Sequence, residues 1–378
     1  MRVKIYSFFS LVALAMLVAC QSPKNKLALY IGTYSVEGSE GIYRYSFDPK
    51  NGELTPESVT ETQENPSYIS ISPNKKYLYA VSEVNNYNHQ DSGSVTAYKI
   101  EPDGSLTRLN QVATLGNHPC HVTVSPDGKT LAASNYTSGS ISIFKVNDDG
   151  SLAVMPQLVQ HVGFGPDTAR QQGPHAHSSL FTADGKTLVA ADLGIDKLLL
   201  TTWSADSGKF ISAPQPFIPV SPGAGPRHFG FSPDGRFMYA MMEMSSTVCV
   251  VEKMDTAWTV IQETSSLPDG YSGVKAGADI HLGPDGRFVY CSNRGHNSIA
   301  VFSRDAGSGK LALIQNQPVQ GDWPRNFALS PDGKFLLAAN QRSNNITVFS
   351  VDEESGKLAF TGKNYPLPSP ACLKFLEN

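Results

Sequence analysis

The sequence predicts an all-β fold: a seven-bladed β-propeller of four-stranded antiparallel blades. Three observations predict it. A turn recurs six times, opening at Ser72-Pro73-Asn74, Ser125-Pro126-Asp127-Gly128, Thr182-Ala183-Asp184-Gly185, Ser232-Pro233-Asp234-Gly235, Gly283-Pro284-Asp285-Gly286 and Ser330-Pro331-Asp332-Gly333. The openings lie 53, 57, 50, 51 and 47 residues apart, a period that belongs to arrays and propellers. Short alternating apolar runs flank every turn, and no sustained 3.6-residue periodicity competes with them. Finally, the two ends of the repeat region are incomplete in complementary ways.

Each repeat has one order of parts. A first strand precedes the turn, as in Tyr68-Ile69-Ser70-Ile71 or Phe229-Gly230-Phe231. In the turn, Pro presets φ and Gly accepts φ > 0. An apolar second strand follows, such as Phe237-Met238-Tyr239-Ala240, then a third such as Asn345-Ile346-Thr347-Val348-Phe349. A weaker fourth strand comes after a Gly turn, as at Ser355-Gly356-Lys357-Leu358. Four antiparallel strands make a propeller blade. The segment Leu27 to Thr33 reads as a second strand lacking its first, and Ser369 to Leu376 as a first strand lacking its second. Pairing the C-terminal strand with the N-terminal blade completes a seventh blade and closes the ring, which removes exposed sheet edges.

The domain plan is therefore residues 1–20 as a lipoprotein signal peptide, 21–26 as a tether and 27–378 as the propeller. Arg2 and Lys4 precede an apolar run from Phe8 to Ala19, the pattern of a secretory signal. Leu17-Val18-Ala19-Cys20 resembles a bacterial lipobox, which makes Cys20 the lipidation site. The expected location is the cell envelope, periplasmic or associated with the outer membrane, with the lipid anchor as the only membrane contact. Cys120, Cys249, Cys291 and Cys372 fall on strands without paired spacing and read as buried free thiols. A net charge of −4 without a basic run argues against nucleic acid. A monomer is expected.

The repeat also locates a site. Five residues before each turn lie Ser67, Cys120, His177, Arg227, Ala278 and Arg325, with Ala371 as the C-terminal equivalent. Eleven residues after it lie Glu83, Tyr136, Leu193, Glu243, Arg294 and Gln341, with Tyr34 as the N-terminal equivalent. Antiparallel pairing puts both sets at one end of the blades, around one mouth of the central channel. His177, Arg227, Arg294, Arg325, Glu83 and Glu243 would then converge on a partly enclosed space, where charge is costly unless paired or solvated. The cations left after pairing suit a carboxylate or phosphate ligand. Asn135, Asp192, Asn293 and Asn340, one register earlier, read as turn caps, with a Ca²⁺-binding ring as the alternative. His175 and His177 form a His-x-His that alternation would place on one face. No third ligand stands near, and neither metal nor cofactor is expected. His118, His121 and His228 belong near the same rim.

These residues resemble the seven-bladed propeller lactonases, which comprise propeller-type 6-phosphogluconolactonase and carboxy-cis,cis-muconate lactonizing enzyme. The likeness spans the chain after the signal. It rests on Gly225-Pro226-Arg227-His228, Met238 to Glu243, Gly173-Pro174-His175-Ala176-His177, Ser292-Asn293-Arg294 and Trp323-Pro324-Arg325-Asn326. The resemblance implies a catalytic set of His177, Arg227, Glu243 and Arg294, with an anionic lactone as the small-molecule substrate. The expected chemistry is metal-independent lactone hydrolysis. His177 would act as general base, and Arg227 and Arg294 would hold the oxyanion and the substrate's anionic group. Arg325, Glu83, His175, His228 and Asn326 are further candidate substrate contacts. A lipobox is at odds with a cytoplasmic phosphosugar substrate. Muconate-type lactonization, a Ca²⁺-dependent lactonase and a non-enzymatic binding platform are the alternatives.

Overall fold

The computed structural model describes residues 26–60, 63–255 and 257–377, which form seven four-stranded antiparallel sheets. Blade I contains Leu27–Thr33, Tyr43–Asp48 and Glu53–Val59, and Pro370–Leu376 pairs with Leu27–Thr33 as its innermost strand. The ring thus closes as the two incomplete ends predict. The innermost strands of blades II to VII are Ile69–Ile71, Pro119–Val124, Ala176–Phe181, Pro226–Phe231, Gly277–Leu282 and Pro324–Leu329. Only two single-turn 3-10 segments, Tyr87–His89 and Leu193–Ile195, interrupt the β-structure of the described residues. The signal segment, Cys20 and all of the tether except Lys26 lie outside the described residues.

The recurring turn works through its side chains. Ser125 Oγ donates to Asp127 Oδ1 at 2.6 Å, and the Lys129 amide donates to the same oxygen at 3.0 Å. Gly128 closes the turn at φ 74° by donating its amide to the Ser125 carbonyl at 2.9 Å. Thr182 with Asp184, Ser232 with Asp234 and Ser330 with Asp332 repeat the arrangement. In blade II, Asn74 replaces the Asp, and Lys75 takes the left-handed position at φ 61°.

The hydrophobic core is a ring of face-to-face packings between neighbouring sheets. One cluster joins Val189, Leu198 and Leu200 of blade IV to Phe229, Met238 and Val251 of blade V. Another joins Leu29 and Phe47 of blade I to Leu337 and Val348 of blade VII. Buried tyrosines tie blades together across these seams. Tyr30, Tyr79, Tyr239 and Tyr290 donate to the carbonyls of Gly104, Gly150, Gly309 and Gly356 on the next blade at 2.7, 3.0, 2.9 and 3.0 Å. Gly309 has φ 72°, and a Cβ there would come within 2.3 Å of the Phe237 ring. The four cysteines on strands are free and buried.

One irregularity positions the site. On the innermost strands, Cys120, His177, Arg227, Arg325 and Ala371 are each the extra residue of a β-bulge, and in blade VI Ala278 and Asp279 together face Ser292. The first residue past each second strand closes the bulge by donating its amide to the carbonyl two residues before the bulged position. Glu83, Tyr136, Leu193, Glu243, Arg294, Gln341 and Tyr34 bond Asn65, His118, His175, Gly225, Ala276, Trp323 and Ser369 in this way, at 2.7 to 3.1 Å. A bulge turns its side chain out of the sheet's alternation. Here it turns the bulged positions of six blades toward one mouth of the channel.

Candidate active site

Glu243 is the hub of the mouth. Its Oε2 lies 2.8 Å from Arg294 Nη2 and 3.1 Å from Arg227 Nε, and its Oε1 accepts from Arg170 Nη2 at 2.8 Å. The Arg227 Nε–H is within ion-pairing distance but is not aimed along a hydrogen bond. Arg227 is the largest fully buried side chain of the described residues. Its Nη1 donates to the Ala278 carbonyl at 2.6 Å, and Arg294 donates to the carbonyls of Ala276 and Gly277 at 3.3 and 3.0 Å. Backbone carbonyls of blade VI therefore fix both guanidiniums. Burial alone would raise the Glu243 carboxyl, but Arg294, Arg227 and Arg170 overcome it and hold the group ionised, well below the usual carboxylate range. Burial and the charges of Arg294 and Arg325 bring Arg227 down to about 10, so it remains a cation at neutral pH.

A second cluster occupies the blade I–II side. Tyr34 donates to Glu83 Oε2 at 2.7 Å, Ser67 Oγ donates to the same oxygen, and the Arg325 guanidinium lies 5.0 Å from the centre of the Tyr34 ring. The Arg294 guanidinium lies 5.1 Å from the centre of the Trp323 ring, with that of Arg342 at 3.5 Å. Arg170, Arg227, Arg294 and Arg325 share Glu83 and Glu243 as the carboxylates of the mouth among the described residues, so cations outnumber carboxylates there.

His177 lies beneath these cations. Its Nδ1 is 3.8 Å from Cys120 Sγ, and its ring meets those of Tyr136 and His228 edge-on at 5.5 and 5.2 Å. Burial, then Arg227, His228, Arg325 and Arg294, hold its pKa well below the ordinary value. The imidazole is therefore neutral at pH 7 and free to accept a proton. Burial pushes the Cys120 thiol far up, so it is not a thiolate nucleophile.

The structure brings His177, Arg227, Glu243, Arg294, Arg325 and Glu83 to one mouth, but it separates the other candidates. His175 precedes the strand that carries the bulged His177, so strand alternation does not relate the two side chains. His175 stacks on Tyr136 at 4.7 Å and points its Nδ1 at the Tyr136 carbonyl, 3.1 Å away. His228 faces the channel below the mouth, where its Nδ1 meets Asp279 Oδ1 at 2.6 Å and burial brings its pKa down to about 4. Asn326 is committed to the channel wall: its amide donates to Asp279 Oδ2, and its Oδ1 accepts the Leu373 amide at 2.7 Å. His118 sits on the exposed rim against Thr137 Oγ1 at 2.9 Å. Asp192 accepts from the amides of His175 and Gly194 at 2.7 and 3.0 Å, and Asn135 donates to Ser140 and Ser142 at 3.1 and 2.9 Å. Those contacts are local capping. Among the described residues no three His, Cys, Asp or Glu side chains converge as a metal-binding group.

Register reasoning missed Arg170, which lies in a crossover loop with no counterpart in other blades. A concavity of about 810 Å³ lies elsewhere, between the outer edges of blades I and II around Gln63, Tyr87, Tyr98 and Arg108. It contains none of the converging charges, so size alone does not mark the site. A smaller cavity of about 350 Å³ lies along the channel below the mouth, bounded by Tyr68, His121, His228, Asp279, His281 and Lys374.

Comparison with known proteins agrees with this fold. The family described as "Lactonase, 7-bladed beta-propeller" matches residues 28–375. The 6-phosphogluconolactonase of Bacillus subtilis (strain 168) is 38% identical over 351 residues, covering 92% of this chain and 98% of that protein. That of Formosa agariphila is 36% identical over 306 residues, covering 80% and 86% respectively. The solved periplasmic gluconolactonase of Pseudomonas aeruginosa superposes with a TM-score of 0.88 at 35% identity, covering 93% of this chain and 99% of that one. By its fold, its bulge-borne mouth and these relatives, the chain belongs to the seven-bladed β-propeller lactonase family.

Proposed function

We propose that the protein hydrolyses a sugar-acid lactone at the channel mouth, with His177 as general base and Arg227 and Arg294 as oxyanion donors. The observation that carries the reading is a neutral, buried imidazole beneath guanidiniums whose charge two carboxylates do not balance. A neutral base is needed to take a proton from water. The hydroxide so formed adds to the lactone carbonyl, and charge moves to the carbonyl oxygen, where fixed guanidiniums stabilise it without reorganising. When the ring C–O bond breaks, the imidazolium returns its proton to the departing alkoxide. The product acid then ionises in water. An imidazolium among arginines is costly, and the oxyanion beside it offsets that cost. Glu243 positions Arg227 and Arg294 rather than reacting. Hydrolysis in this scheme calls on no metal.

The lipobox-like Leu17 to Cys20 supports a lipid-anchored enzyme of the cell envelope, consistent with a relative named as periplasmic. Cys20→Ser should move the protein from the membrane to the soluble fraction, and an unchanged distribution would refute the anchor.

The test is hydrolysis of a panel of aldonolactones, phosphorylated and not, with and without EDTA, beside an Arg227→Ala/Glu243→Ala variant. Turnover that survives EDTA and is lost in the variant supports the reading. Turnover abolished by EDTA would mean a metal-dependent lactonase. No turnover by the folded protein would favour a binding platform.

A further inference from the structure

We propose that Arg170 is the residue that selects the substrate, by binding an anionic group at the end of the lactone remote from the ester. This rests on the lactonase reading above. The connections on the mouth face between one blade's outermost strand and the next blade's innermost strand run from three to eleven residues, except residues 161–175, which number fifteen. That loop crosses from blade III to blade IV, where the register position holds Leu193 instead of a charge. Arg170 supplies the cation that blade IV lacks.

The loop is built to present this side chain. Gln171 is fully buried, and its amide donates to the Leu193 carbonyl and to Asp196 Oδ1, both at 2.8 Å. Asp167 Oδ1 accepts the amides of Ala169 and Arg170 at 2.8 and 3.0 Å, and the Gln171 amide closes onto the Asp167 carbonyl at 2.7 Å. The backbone at Arg170 is therefore fixed from both sides, while the side chain is 46% exposed, against 2% for Arg227 and 6% for Arg294.

Only one nitrogen of its guanidinium is engaged. Nη2 meets Glu243 Oε1 at 2.8 Å and the Tyr136 hydroxyl at 3.2 Å, while Nη1 and Nε have no partner among the described residues. The buried arginines donate to backbone carbonyls and pair with Glu243 Oε2, so they belong to the depth of the site, where the ester reacts. Arg170 holds the other carboxylate oxygen, and can turn from it without unpairing Glu243 from Arg227 and Arg294. A half-exposed ion pair is screened and exchanges readily. Once Arg170 turns from Glu243, its planar guanidinium can grip a phosphate or carboxylate in bidentate fashion. The selected class is a lactone with a second anionic group, either a phosphate ester or a carboxylate.

The experiment compares kcat/KM of the full chain on gluconolactone, on its 6-phosphate and on a glucaric acid lactone, for wild type, Arg170→Gln and Arg170→Lys. Wild type should favour one or both anionic lactones. Arg170→Gln should lower kcat/KM on the favoured anionic lactone roughly 10–100-fold, the range for a lost charged hydrogen bond, mainly through KM, and far less on gluconolactone, with Arg170→Lys between. The phosphate and carboxylate arms identify which anion is read. Equal loss on neutral and anionic lactones, or no loss, overturns the proposal. If wild type hydrolyses none of the three, the lactonase reading fails, and calorimetric binding of 6-phosphogluconate and glucarate decides for Arg170. Binding that is lost in Arg170→Gln upholds the anion site. Binding that is unchanged, or absent in wild type, overturns it.

Discussion

Replacing Glu243 with Gln should destabilise the protein, because the carboxylate is the counter-ion of two guanidiniums that have left water. The side chains of Arg227 and Arg294 are 2% and 6% exposed, and Glu243 Oε2 is the carboxylate oxygen paired with both. Stranding buried charge by removing its partner costs about 3–5 kcal/mol, whereas the half-exposed Arg170 contact contributes no more than about 1 kcal/mol. A loss of about 3–5 kcal/mol is therefore expected, measured by denaturant unfolding followed through tryptophan fluorescence. The pH dependence has a definite sign. The folded-state carboxyl is held below its ordinary value, so its stabilisation is fully present above the unfolded pKa and is lost as pH falls through the folded one. The gap between wild type and variant should hold constant from about pH 8 to about pH 5 and narrow only below that. Adding Arg227→Met to Glu243→Gln removes one stranded cation and should recover part of the loss, while hydrolysis stays absent. A single-variant loss below about 1 kcal/mol, or a double variant less stable than the single, would refute the counter-ion role.

Four further outcomes are expected. His177→Ala should lower kcat by about 10²–10⁴-fold with unchanged folding, and a loss below about tenfold would remove it as general base. In wild type, the depressed His177 pKa should keep kcat on gluconolactone level from about pH 7 to about pH 6, whereas a fall with midpoint near the ordinary histidine value would contradict its burial. His228, brought down to about 4, binds its proton in the unfolded chain first, so stability should decline as pH drops from 6.5 towards 4. His228→Asn should flatten that decline, and an unaltered slope would assign it elsewhere. Tyr239→Phe, which removes the bond to the Gly309 carbonyl and the one accepted from Arg304 Nε, should cost about 1–3 kcal/mol in denaturant unfolding, and no change would deny the seam its role.

The fold was legible because each blade repeats one local solution. A Ser or Thr, an Asp and a Gly close the turn in most copies, and strands of fixed length follow. The six polar positions of the mouth were legible for a related reason. The bulge falls five residues before each turn opening and its closing bond eleven after, so counting finds both without any knowledge of the bulge. Counting failed where the bulge changed direction or the repeat was broken. Alternation put His175 beside His177, but His175 precedes the strand and stacks on Tyr136, while the bulged His177 meets that ring edge-on. Asn326 looked like part of a motif at the rim, yet it points the other way along its strand and clips Asp279 to Leu373. Arg170 could not be found by register, since its loop occurs once. Its contact with Glu243 spans 73 residues, and only the folded ring brings them together.

The most direct test of the central claim is a crystal structure of the protein with an aldonate product bound. The account predicts the product carboxylate at the channel mouth, within hydrogen-bond reach of Arg227 and Arg294, with the His177 ring facing its carboxyl carbon. Product bound in the larger groove between blades I and II, or at the mouth but away from both arginines, would contradict it.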